Sequence, residues 1–504
     1  MLKAISKVKS IFERAGVRPR RGQLEAAERI VSLLERGGSA AFVAPTGFGK
    51  TLTILAALVA AGRLPAVWRV RSLSLGTRVG EDAALLGLRS FTAAGRERAC
   101  PLAERLGGDV HEYCRSYRLS CKYFLETDFS KPVAATTWTE LLGAKGCPYY
   151  LQDRAMEQAD IVVESYYRRP PRFYRAVVYD EAHNLLVPKE SCIAVGMLRE
   201  AALELKTIGE DRLARWLAEI EPREDGVFDV EEERLLGLYN AYRRLLGQGY
   251  GRTATGRVYR VLGSEAVYWE SGRLCGARLS PVAARPNTLF VSATLPYPQL
   301  LGVDEVVEVP WTRKRTLYIT EWLTTRYRDY ERHVDEYASL LRALKFRLPR
   351  VLAFATRRVA ARLLREAAVD YYEQWLRTVP AEWRGIMLLH SRGKFAEGVD
   401  IRADAVVVLG APFLPPYASR RVERALRRAG LQGDYASASM LSTTLQCVGR
   451  ATRSEEDNPL IVLADNRYQR YIEGLSKYFK VRSIDTLAEL VEIMKGRKIK
   501  IPAP

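Results

Sequence analysis

Two short stretches of this 504-residue chain combine residues able to handle a nucleoside triphosphate: APTGFGKT at 44–51 and DEAHN at 180–184. In the first, Gly47 and Gly49 let backbone N–H groups turn toward phosphate oxygens, and Lys50 reaches the β- and γ-phosphates. Thr51 offers its hydroxyl to Mg²⁺. Ala44 stands where the general phosphate-loop pattern begins with glycine. In the second stretch, Asp180 ends the apolar run AVVY and would lie near the Mg²⁺, with Glu181 placed to polarise the attacking water. His183, one of only four histidines, follows directly. The pair of motifs predicts an ATP hydrolase using ATP and Mg²⁺.

These groups work only if buried strands present them at one edge. The phosphate loop lies between the apolar SAAFVA and the helical TLTILAALVAAG, which is the strand-loop-helix setting it requires. SAAFVA, AVWRV, AVVYDE and TLFVSAT read as strands of one sheet; RVLAFAT, GIMLLH, AVVVLG and PLIVLAD read as strands of a second. Near-continuous apolar strands with helices between them predict two stacked α/β domains with parallel sheets. ATP is expected in the cleft between them. From the second domain come Arg450 and Arg453, which on a helix share one face and can neutralise charge developing on a transferred phosphoryl group.

Seven cysteines in a long chain whose N-terminus lacks the pattern of a secretory signal argue against a disulfide framework and direct attention to metal binding. Cys100, Cys114, Cys121 and Cys147 are separated by thirteen, six and twenty-five residues. No Cys-x-x-Cys pair is present among them, so spacing leaves zinc, a [4Fe-4S] cluster or no metal open. The chain carries 78 Lys+Arg against 59 Asp+Glu, a formal charge of +19 that suits a polyanionic partner. No run of about 18 uncharged apolar residues occurs, so a membrane is not the expected partner. Twenty-six tyrosines, among them Tyr166 and Tyr167 beside Arg168 and Arg169, supply rings for base stacking as well as for packing.

Taken in order, the motifs resemble those of superfamily 2 helicases. LFVSATLP brings Ser292, Ala293 and Thr294, similar to the motif that couples hydrolysis to movement; RGKFAEGVDI resembles the fifth motif through Gly393, Lys394, Glu397, Gly398 and Asp400. QCVGRATRSEEDN resembles the sixth through Gln446, Gly449, Arg450 and Arg453. Gln23, in RPRRGQLEAAERI, resembles the glutamine that reads adenine in many such enzymes. The cysteine block, from GRERAC to CPYYLQDRAMEQADIVVESYY, looks very like the iron-sulfur domain of the XPD family of DNA helicases, and GKFAEGVD resembles that family's version of its motif.

The resemblance runs from Gln23 to about Tyr468. It implies two RecA-like motor domains, the first formed by 1–95, 148–199 and 263–310 and the second by 311–504. It also implies an iron-sulfur domain at 96–147 and a small helical arch at 200–262. REAALELKTIGEDRLARWLAEIEP and VEEERLLGLYNAYRRLLGQG read as two amphipathic arch helices. Cys100, Cys114, Cys121 and Cys147 would hold a [4Fe-4S] cluster, while Cys192, Cys275 and Cys447 stand apart from it. The implied activity is ATP-driven 5'-to-3' movement on single-stranded DNA with unwinding of forked duplexes, in DNA repair. Arg71 and Ser72 are candidate DNA-backbone contacts. A monomer in the cytoplasm, at the nucleoid if the cell is prokaryotic, is the expected form, with repair proteins as possible partners. A DinG-like iron-sulfur helicase, or a DNA-binding scaffold with weak unwinding, is the competing reading.

Overall fold

The computed structural model describes residues 2–73, 76–168, 174–279, 282, 284–311, 314–326, 328–395, 401–428, 430–431, 433–452 and 457–496. The chain divides into two compact units, Met1–Val309 with Arg424–Gly433, and Pro310–Glu423 with Asp434–Pro504. Glu397, Gly398, Asp400, Arg453 and Arg169 lie outside the described residues. No described helix is long and apolar enough to cross a membrane.

The first unit is built on strands β1 (Ala40–Val43), β2 (Ala66–Val70), β3 (Ser90–Thr92), β4 (Ile161–Ser165) and β5 (Ala176–Asp180). Between β5 and the later sheet members come β6 (Lys189–Ile193), β7 (Asp225–Val227), β8 (Ala266–Glu270) and β9 (Arg273–Arg278). The unit's strands end with β10 (Thr288–Ser292) and β11 (Glu305–Glu308). The main sheet has the order β11-β1-β10-β5-β2-β4-β3, every pairing parallel. All residues of β1 and β10 are buried, as a central parallel strand covered on both faces requires. Helices Gln23–Glu35 and Lys50–Ala60 cover one face, and Ile30, Leu34, Ile54 and Leu58 join Phe42, Trp68 and Val291 in one core.

The segment between β5 and β10 makes its own small sheet, β6-β9-β8-β7, with antiparallel neighbours. Its helices are Val195–Thr207, Asp211–Ala218, Glu232–Gly247 and Ala254–Leu262. The first of the two expected arch helices is therefore two. Its chain turns at Gly209, where Glu210 N and Gly209 N bond back to Leu205 O and Lys206 O, a C-terminal turn of the kind that ends helices. Cys192 and Cys275 form a disulfide, correcting the expectation of a chain without one. They are direct cross-strand partners in β6 and β9, and a sequence separation of 83 hides that register.

The second unit carries β12 (Arg315–Thr320), β13 (Arg350–Ala355), β14 (Tyr371–Tyr372), β15 (Gly385–His390), β16 (Ala405–Leu409), β17 (Leu460–Ala464) and β18 (Phe479–Ile484). Their order is β14-β15-β13-β16-β17-β12-β18, again wholly parallel. β13, β15, β16 and β17 are buried along their whole length. All eight stretches read as strands from sequence are strands; the edge strands β3, β11, β14 and β18 were too short or too polar to announce themselves.

Candidate nucleotide site and cysteine insertion

Strand register brings the chemistry of the first unit to one edge. Val43, just before the phosphate loop, is the partner of Ser292, and Val291 is the partner of Asp180. Three adjacent parallel strands thus end level with one another. The loop turns through Gly47 and Gly49, both with positive φ, into the helix that starts at Lys50. Gly49 is required twice over, by its φ of 87° and because an added Cβ would sit 2.6 Å from Gln23 Nε2. Lys50 Nζ donates to Ala44 O at 3.0 Å and Pro45 O at 3.2 Å. Burial lowers its pKa while Glu181 and Asp180 oppose the shift, so the lysine and both carboxylates share one electrostatic neighbourhood.

Asp180 is held from several directions. Trp68 Nε1 donates to its Oδ2 at 3.3 Å, Glu181 N donates to its Oδ1 at 3.0 Å, and the Tyr166 hydroxyl donates to its backbone carbonyl. Burial, with the Glu181 carboxylate adding to it, pushes Asp180 up to about 6. Glu181 adopts a left-handed φ of 51°, which turns the chain from β5 into the short helix Ala182–Leu186. His183 Nδ1 lies 2.7 Å from Ser292 Oγ and 3.3 Å from Glu181 Oε2. Ser292 Oγ donates to Thr294 O at 2.7 Å, which assigns the donor role in the first contact to the histidine Nδ1–H. The DEAH and SAT segments are therefore joined by a buried hydrogen bond.

Gln23 begins its helix, and its side chain is engaged by the loop. Its Nε2 donates to Phe48 O, Gly49 O and Thr53 Oγ1, and its Oε1 accepts from Arg20 N at 2.6 Å. Trp68 and Tyr166, which no motif marked, turn out to be contacts of the acidic motif. Arg71 Nη1 donates to Asn184 Oδ1 at 2.7 Å, tying the end of β2 to the same segment. Tyr167, by contrast, is 53% exposed, with Lys189 Nζ 5.0 Å from its ring centroid. In the second unit Gln446 is buried in the helix Tyr435–Gly449. Arg450 lies just beyond that helix, in a turn where Arg450 N and Ala451 N bond to Cys447 O and Val448 O. Arg453, the other arginine of the expected pair, lies outside the described residues.

The four cysteines lie on short elements. Cys100 closes Arg96–Ala99, Cys114 lies within Val110–Tyr117, and Cys121 and Cys147 immediately precede Lys122–Leu125 and Pro148–Met156. Burial pushes Cys100 up to about 11, and Cys147, Cys114 and Cys121 each add to the rise. Cys147 is raised in the same way, by burial first, with Cys114 and Cys121 adding to it. Leu102 N donates to Cys100 Sγ at 3.4 Å, and the Tyr150 hydroxyl lies 3.7 Å from Cys114 Sγ. Among the described residues no three His, Cys, Asp or Glu side chains are gathered closely enough to form a metal site. Cys447 stands apart, its Sγ 3.6 Å from Ser391 O.

Buried charges pin this insertion and the helix Pro148–Met156 that follows it. Asp109, fully buried, accepts from Thr253 N at 2.6 Å, Thr253 Oγ1 at 2.8 Å, Arg260 Nη1 at 2.8 Å and Tyr242 OH at 3.0 Å. On the other side Asp153 pairs with Arg168 at 3.3 Å, and Glu164 lies between Arg168 and Arg69, at 3.4 and 3.1 Å. Arg69 Nη1 reaches the hydroxyl of Tyr179, the residue before Asp180. A buried charge of this kind is tolerable only when paired, and here the pairing runs from the cysteine insertion to the strand of the acidic motif.

A phosphate loop and an acidic motif thus end level on one parallel sheet, and a second parallel sheet follows them in the chain. Residues 340–482 match the family model for the helicase C-terminal domain. An XPD helicase structure superimposes with a TM-score of 0.72 over 93% of this chain and 100% of its own, at 20% identity. Xpd4 of S. tokodaii gives 0.59 over 92% and 100%, at 16% identity. The XPD helicase subunit of general transcription and DNA repair factor IIH from Arabidopsis thaliana is 36% identical over 91 residues, covering 16% of this chain and 12% of that protein. The fold is thus like that of solved XPD helicases, and residues 340–482 carry a helicase C-terminal domain.

Proposed function

We propose that the chain is an ATP-dependent DNA helicase of the XPD type, moving 5' to 3' on single-stranded DNA and unwinding forked duplexes in DNA repair. The observation that carries this reading is the convergence of Lys50, Asp180 and Glu181 at one sheet edge, bonded through His183 to Ser292. Lys50 and the N–H groups at the start of its helix bind the β- and γ-phosphates. Glu181 orients the attacking water and takes its proton. Thr51 and Asp180 would hold Mg²⁺, which supplies positive charge at the phosphate oxygens. Hydrolysis alters the surroundings of Glu181, and the His183–Ser292 bond passes the change to the SAT segment. Arg450 and Arg453 complete the reading as groups that neutralise the transferring phosphoryl, with Gln446 as an uncharged hydrogen-bonding partner; Gly398 and Asp400 shape the fifth motif, and Gln23 braces the loop on the adenine side.

Support for a [4Fe-4S] group in the cysteine insertion is the donor set of four thiols, with Leu102 N–H aimed at Cys100 Sγ, although the described side chains are not gathered as closely as such a site requires. Cys100, Cys114, Cys121 and Cys147 would hold it, and when bound it supplies a rigid cross-link for an otherwise sheetless segment. Phosphate release measured with and without single-stranded DNA tests the motor. Wild-type protein showing no DNA-stimulated turnover would sink the reading, whereas Lys50→Ala should stop turnover and keep DNA binding. Duplexes with 5' or 3' tails decide the polarity.

A further inference from the structure

Residues 373–384, between β14 and β15, belong to none of the helicase motifs, yet they hold the chain's one tryptophan out of eight that is exposed. Trp375 is 64% exposed. Its position is nevertheless built. Its ring meets buried Tyr372 edge-to-face at 5.5 Å, and the Tyr372 hydroxyl is 2.9 Å from Nε2 of buried His390. The neighbouring Glu373, also buried, accepts from His390 N at 2.8 Å and Lys394 N at 2.9 Å. A Cβ on Gly393 would lie 2.2 Å from both carboxylate oxygens, so the turn and the loop are fitted to each other. Lys394 Nζ donates to Leu376 O, closing the link from the other side.

A large ring held rigidly in water gains nothing for folding by its exposure, and its ordering cost is already met, which is the arrangement that favours a stacking partner. The surroundings select the partner's chemistry. Gln374, Arg377, Thr378, Arg384 and Lys394 are exposed, against a single exposed acid in the segment, Glu382. A protein-docking hot spot would have apolar neighbours to exclude water. A cationic rim around one aromatic ring instead suits a polyanion with planar bases.

We propose that Trp375 is a stacking platform for a base of single-stranded DNA on the second unit, with Arg377 and Lys394 taking the adjacent phosphates. The inference rests on the reading of the chain as a single-strand motor. The test is a fluorescence-anisotropy titration of a labelled oligo-dT with wild-type protein, Trp375→Ala, Trp375→Phe, Arg377→Gln and Lys394→Gln. Trp375→Ala should bind roughly 5- to 100-fold more weakly, while Trp375→Phe keeps most of the affinity. Oligonucleotide-induced quenching of tryptophan emission should shrink in Trp375→Phe, a signature that a packing role would not produce. Each cation change should lower the slope of log affinity against log salt by about 0.7. Wild-type affinity in Trp375→Ala would overturn the proposal, leaving the ring to a protein partner or a second copy. Failure of the wild type to bind oligo-dT would instead overturn the underlying reading of the chain, and this inference with it.

Discussion

The nucleotide corner and the cysteine insertion sit in the same unit but are built by opposite means. In the corner, β1, β10 and β5 are paired in register, so backbone hydrogen bonds place Lys50, Asp180, Glu181 and Ser292 before any side-chain contact is counted. The insertion, together with the helix Pro148–Met156 that follows it, has five short α-helices and no strand of its own. Its place is kept by side chains, Asp109 on one flank and Asp153 with Arg168 on the other. Chemistry placed by a sheet is insensitive to loss of one contact, whereas a segment placed by buried charges depends on each of them.

That contrast can be broken in measurable ways. The largest effect should come from Glu181→Gln, which is expected to lower DNA-stimulated phosphate release by about 10²- to 10⁴-fold with the fold intact; a loss under tenfold would mean that the corner does not position a base. Cys147→Ser should cost anaerobically purified protein its brown colour and iron, and should harm strand separation more than ATP hydrolysis. Retained iron would remove this cysteine from the ligand set.

Asp109→Ala should destabilise the unit by about 2 kcal/mol in urea unfolding, since the donors it strands are buried but Arg260 is partly solvated. A null result would show that the insertion does not lean on the helix Ala254–Leu262. Asp180 gives a pH signature. Because its native pKa is raised, the folded state favours the protonated carboxyl, so the stabilisation is full below about pH 4 and is lost as pH rises through about 6. Wild-type stability should therefore fall on the order of 1–2 kcal/mol more than that of Asp180→Asn over this interval, read from melting temperatures. The smallest change is expected from Tyr166→Phe, about 1 kcal/mol for one hydrogen bond to the Asp180 carbonyl; a loss several times larger would show Tyr166 to be the main support of the acidic motif.

Most of the corner was legible in sequence because its signals are local. Apolar runs announce β1, β5 and β10, and the spacing of Gly47, Gly49, Lys50 and Thr51 belongs to one turn. What stayed hidden depends on residues far apart. Trp68 reaches Asp180 across 112 positions, Ser292 reaches His183 across 109, and Asp109 gathers Thr253, Tyr242 and Arg260 from beyond 130 positions away. The end of the helix at Gly449, one residue before Arg450, was likewise hidden, because it is set by the last hydrogen bonds, which residue spacing does not show.

By itself, the sequence determined the phosphate-loop and acidic motifs as local patterns, the parallel α/β class and the presence of four cysteines close together in the chain. These follow from periodicity and from chemistry that neighbouring residues share. Tertiary structure alone decided which strands align, hence the joining of DEAH to SAT, the disulfide of Cys192 with Cys275, and the exposure of Trp375 above a buried histidine and glutamate. Register and burial are properties of segments brought together by the whole fold, and no local pattern carries them.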